Sequence, residues 1–65
     1  MRSNNYIILN KRQGEKIKRT LIFVEDIKRI EQYTEEEVMI FDYDGGFIIA
    51  NDKFADIERK LSHLR

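Results

Sequence analysis

The feature that most constrains this chain is residues 37–50, where two apolar runs flank a single turn sequence. The runs are rich in β-branched and aromatic residues, which favour strands. Between them lies the pair Asp44 and Gly45, which tolerates the positive φ angles of a two-residue hairpin loop. We therefore predict that residues 37–50 form a β-hairpin closed by Asp44 and Gly45.

This loop predicts a register in which Phe41 faces Ile48 and Met39 faces Ala50, so that apolar residues meet across the strands. One face then carries Val38, Ile40, Phe47 and Ile49, and the other carries Met39, Phe41, Tyr43, Ile48 and Ala50. Both faces are apolar, whereas a small sheet usually leaves one face to water. A helix of the same chain can cover one face, and a second copy or a partner protein the other. The residues expected at an oligomer interface are Met39, Phe41, Tyr43 and Ile48.

The remaining chain predicts three more strands and one helix. We expect strands at residues 6–9, 16–24 and 29–33, a helical turn at 25–28 and an acidic turn at 34–37. Asn51 or Asp52 is expected to cap an amphipathic helix whose apolar face carries Phe54, Ile57, Leu61 and Leu64. The predicted fold is α+β and β-rich, with about five short antiparallel strands in a small sheet or open barrel and one C-terminal helix.

Composition limits the class of protein. A chain of 65 residues is expected to be a single domain, 1–65, with a small core that oligomerisation can reinforce. There is no cysteine, so disulfides and thiolate metal sites are excluded. The apolar runs are too short to span a bilayer, and we expect a soluble cytoplasmic protein without cofactors.

The charges are balanced in number but separated along the chain. Twelve basic residues match twelve acidic ones, yet five of the basic residues crowd into a predicted hairpin: Lys11, Arg12, Lys16, Lys18 and Arg19. Eight acidic residues lie between Glu25 and Asp44. The basic segment is a candidate site for nucleic acid or for an acidic protein surface.

No constellation indicates catalysis. Asp42 and Asp44 resemble the start of a calcium loop, but the twelfth position of that loop is Lys53 instead of glutamate. The acidic run at residues 35–37 lacks a partner histidine or a phosphate-binding loop, and His63 lies near the end of the predicted helix. We expect no metal site and no enzyme activity.

The order of features in residues 21–61 resembles the FlbD-like small swarming and flagellar motility proteins. The shared features are the segment 27–31, an acidic turn, the strand and turn glycine of 38–45, a second apolar strand and the helix of 52–61. This resemblance implies a non-enzymatic accessory protein that acts by contact with other proteins.

Two further resemblances favour nucleic acid. Residues 7–17 are similar to the start of the RNA-binding carbon storage regulator CsrA, and residues 26–31 share a spacing with LytTR DNA-binding domains. We therefore expect a regulatory protein-interaction module that forms homo-oligomers, with nucleic-acid binding through the basic hairpin as the alternative.

Overall fold

The computed structural model describes residues 5–64, which form five strands and one α-helix. The strands are β1 (Tyr6–Gln13), β2 (Lys16–Phe23), β3 (Arg29–Gln32), β4 (Val38–Phe41) and β5 (Phe47–Ala50), and the helix is α1 (Phe54–Ser62). A short 3-10 turn, Val24–Asp26, precedes β3. The predicted α+β class with five antiparallel strands and a C-terminal helix is confirmed.

All five strands belong to one open sheet in the order β2-β1-β5-β4-β3. The β1–β2 hairpin pairs along its full length, from Tyr6 opposite Phe23 to Gln13 opposite Lys16. In contrast, β1 pairs with β5 only at Lys11 and Arg12. The sheet therefore joins a long two-stranded ribbon, β1 and β2, to a short three-stranded meander, β3, β4 and β5.

The ribbon must curl over the meander, because the chain between them is short. In a flat sheet with this register, the positions of Phe23 and Arg29 would be offset along the strand direction by eight residues. That offset is about 27 Å. The link between these two residues can span only about 20 Å. Hydrogen bonds fix its two ends, since the Val24 amide donates to the Asn5 carbonyl at 3.0 Å and the Lys28 amide to the Phe41 carbonyl at 2.7 Å.

Curling of the sheet encloses a small core on one face, which we call the inner face. Its buried residues are Ile7, Leu9, Val38, Ile40, Ala50 and Ile57. Ile57 comes from α1, and the helix adds the half-buried Leu61 and Leu64. The helix therefore covers the inner face, and the opposite face of the sheet, the outer face, has no cover within the described residues.

The predicted register of the β4–β5 hairpin is wrong by one residue. Phe41 faces Phe47, and Ile40 faces Ile48. The loop contains three residues instead of two, because one Asp42 carboxylate oxygen accepts the amides of Asp44 and Gly46, each at 2.9 Å. Glycine at position 45 takes a φ of +89°, as the last residue of such a three-residue loop requires.

Two local predictions are also corrected. The first strand continues beyond residue 9 through Gln13, so residues 11–13 are strand, and the ribbon turns at Gly14 with a φ of +64°. Neither Asn51 nor Asp52 caps the helix, because its N-cap residue is Lys53, which makes no side-chain cap hydrogen bond. The Asp52 carboxylate instead accepts the backbone and side-chain N–H groups of Asn10, at 2.8 and 3.0 Å, and ties the helix entry to β1.

Candidate interaction surface

The outer face of β4 and β5 carries a cluster of apolar side chains that we call the outer patch: Met39, Phe41, Phe47 and Ile49. Residues directly opposite on antiparallel strands share a face, so the register sets these four side chains side by side. The Phe41 and Phe47 rings are 5.7 Å apart between centroids. Phe47 is 53% exposed, and the other three are half-buried.

Two ion pairs border the outer patch. The Arg12 guanidinium on β1 donates to the carboxylate of Glu37, the residue before β4, and β5 lies between these two strands. At the opposite border, Arg29 Nε donates to Glu31 Oε2 at 2.7 Å. The Arg29 guanidinium also stacks over the Phe41 ring, 4.1 Å from its centroid. Each cation at the border is therefore paired with an anion of the same chain, and the patch presents apolar surface with locally balanced charge.

The structure separates the four predicted interface residues. Met39 and Phe41 lie in the outer patch. Ile48 does not, because the corrected register turns it to the inner face, where it packs against the core. Tyr43 lies in the hairpin loop beyond the strands and is 67% exposed.

The two-residue loop predicted from the sequence placed Phe47 and Ile49 on the opposite face from Met39 and Phe41, whereas the structure places all four on one face. The signal that could have corrected this was Asp42, since aspartate commonly accepts the amides of the residues that follow it in a turn. An Asp-capped loop of three residues that ends in Gly45 gives the observed register.

A second apolar group lies on the outer face of the β1–β2 ribbon. Ile8 faces Leu21 and Tyr6 faces Phe23, and the Tyr6 and Phe23 rings meet edge to face at 6.4 Å. Leu21 and Tyr6 are each nearly half exposed. Because the ribbon curls, we treat this group as separate from the outer patch.

The basic residues of the ribbon divide between its two faces. Strand alternation places Lys11, Lys16 and Lys18 on the inner side, in line with Leu9 and Thr20, and Arg12 and Arg19 on the outer side. Lys11 lies directly opposite Lys18. The predicted five-residue basic site is therefore a row of three lysines on one side and two arginines on the other.

Residues 5–64 contain neither a cluster of side chains suited to a metal ion nor a helix suited to a membrane. No three histidine, aspartate or glutamate side chains in this range lie close enough together to hold a metal ion. Within the same range, no helix has the length and apolar character needed to cross a membrane. Comparison of the chain with protein-family models, curated proteins and solved structures found no match.

Proposed function

We propose that this protein is a non-enzymatic, cytoplasmic interaction module that forms homo-oligomers through its outer patch. The observation that carries the proposal is that Met39, Phe41, Phe47 and Ile49 lie together on the sheet face that no described element covers. Apolar surface grouped in this way commonly marks a site of association. The FlbD-like resemblance also implies action by protein contact, and membership of that family is part of the proposal.

A second copy suits this surface because the patch carries little uncompensated charge. The ion pairs Arg12–Glu37 and Arg29–Glu31 neutralise its border within one chain. A strongly acidic or basic partner would find no opposite charge there. Two copies related by a two-fold axis bring the same patch together from both sides, and an apolar centre with a polar border is self-complementary under that symmetry.

The size of the domain supports self-association. The described chain buries six hydrophobic residues and exposes 4994 Å² of surface. A stable dimer of standard size buries about 800 Å² of each partner, which is about a sixth of that surface. Covering the outer patch would add a second apolar layer to a core that is small even for a chain of 65 residues.

The experiment that tests the proposal is the mass in solution of two variants, Phe47→Glu and Tyr43→Glu, measured by light scattering after gel filtration. Both changes place a carboxylate on an exposed aromatic position of the same hairpin. Only Phe47 belongs to the outer patch, so Phe47→Glu should give a folded monomer. The control Tyr43→Glu should keep the mass of the unmodified protein.

Circular dichroism spectra should show that both variants retain the native fold. A monomeric unmodified protein at all accessible concentrations would overturn the proposal. An oligomer that Phe47→Glu leaves intact would equally exclude the outer patch as the interface.

A further inference from the structure

We propose that Lys11, Lys16 and Lys18 form a binding site for the phosphate groups of a nucleic acid. The three side chains emerge from the same side of the β1–β2 ribbon, on the opposite side of the sheet from the outer patch. Lys16 and Lys18 are two residues apart on β2, which spaces them by about 6.8 Å. Lys11 lies directly across from Lys18, with a Cβ separation of about 5 Å.

This arrangement is unfavourable for the free protein. Like charges directly opposite each other on neighbouring strands repel and destabilise a hairpin. In the part of the chain that the structure describes, none of the three ammonium groups forms an ion pair. Of the nearby carboxylates, Asp56 is paired with Arg59. Asp52 accepts from the neutral Asn10 and keeps its charge, and Glu15 in the exposed turn beside Lys16 is the one acidic residue of the ribbon itself. An external anion would remove the repulsion.

A nucleic acid fits this row better than an acidic protein segment does. The acidic turn of a second copy offers Glu35 and Glu36 as its exposed carboxylates, since Glu37 is paired with Arg12. Exposed ion pairs between side chains are weak and would not hold two copies together. A nucleic acid instead presents a regular row of phosphates, and binding to it releases condensed counterions, which drives association even without base contacts.

The three lysines and the two arginines of the ribbon lie on opposite faces of it. Arg12 is held by Glu37 on the outer side, and Arg19 also points to the outer side. Lys18 and Arg19 are adjacent in sequence and exposed, but they lie on opposite faces. They form a matched pair for testing which side of the ribbon binds.

The test measures fluorescence anisotropy of a labelled oligouridine and of an oligothymidine of equal length, titrated with protein over a series of salt concentrations. The unmodified protein should bind weakly, and three phosphate contacts predict a slope of log K against log salt of about −2 for single strands. Lys18→Gln should reduce that slope by about 0.7. Arg19→Gln, which removes the same charge from the other face, should leave the slope unchanged.

A second readout separates binding from folding. Lys11→Gln should weaken oligonucleotide binding and raise the melting temperature, because it removes the repulsion with Lys18. A fall in both quantities would assign the loss of binding to the fold and overturn the proposal. Equal effects of Lys18→Gln and Arg19→Gln, absence of binding at low salt, or equally tight binding of a labelled polyglutamate would also overturn it.

Discussion

Replacement of Ile57 by alanine tests the packing that holds the domain together. The Ile57 side chain is 1% exposed and is the one fully buried contribution of α1 within residues 5–64. The change removes three carbon atoms, a transfer cost of about 2.4 kcal/mol at about 0.8 kcal/mol per buried methylene. The hydrogen bonds between the strands prevent the sheet from moving into the vacated space, so a cavity should remain. We therefore expect the free energy of unfolding to fall by about 3–4 kcal/mol in total. A domain of this length has a stability of about 3–10 kcal/mol.

The assay is urea unfolding followed by far-ultraviolet circular dichroism, at one fixed protein concentration because association shifts the apparent stability. Leu61→Ala is the control, since Leu61 lies one turn further along the same helix but is only half-buried. It should cost clearly less than Ile57→Ala. Equal losses in the two variants, or a loss below about 0.5 kcal/mol for Ile57→Ala, the range of ordinary surface substitutions, would refute the assignment of α1 as the cover of the inner face.

Two further predictions concern the β4–β5 hairpin. Ile48→Glu should destabilise the domain far more than its neighbour Phe47→Glu, because the half-buried Ile48 packs against the core and a carboxylate there loses solvent without gaining a partner. Equal urea midpoints for Ile48→Glu and Phe47→Glu would contradict the observed register. Gly45→Ala should reduce stability by about 1–2 kcal/mol, because φ is +89° there although the space around an added Cβ is open. An unchanged urea midpoint for Gly45→Ala would show that the loop adapts at no cost.

The elements of this fold that were predictable are those with a strong local signal, whereas the polar second half of β1, residues 10–13, carries none. The apolar spacing of Phe54, Ile57 and Leu61 has the helical period, and the helix Phe54–Ser62 follows it. The runs around 38–41 and 47–50 are dense in β-branched and aromatic residues and form β4 and β5. Local composition was sufficient in these segments, since the tertiary structure uses the conformation that each segment already favours.

The faces of the sheet were not predictable from composition because they depend on one polar side chain. A shift of one residue in register exchanges the two faces of a strand. Both runs are apolar at every position, so the hydrophobic pattern does not choose between registers, and the Asp42 carboxylate decides by closing a three-residue loop. Met39 and Phe41 therefore share a face with Phe47 and Ile49, whereas Ile48, which the sequence placed beside them, lies on the inner face.

The basic site was predicted as one cluster because five residues are close in sequence. Pairing of β1 with β2 is what divides them, since alternation along a strand sends neighbours to opposite sides. Arg12 is then drawn to Glu37, a residue distant in sequence. Neither the division nor this ion pair leaves a signal within the basic segment itself.

The two proposed sites lie on opposite faces of the sheet, which predicts how they act together. Association through the outer patch leaves the lysine rows of both copies accessible on the two outward sides of the dimer, so a strand long enough to pass around the dimer can reach both rows. Engagement of the second row is then an intramolecular step with a high effective concentration. The unmodified protein should therefore gain affinity as the oligonucleotide is lengthened beyond one site, whereas monomeric Phe47→Glu should match it on a short oligonucleotide and gain little with length. Loss of short-strand binding in Phe47→Glu would show that the two sites overlap, and an equal gain with length in both proteins would show that the rows act independently.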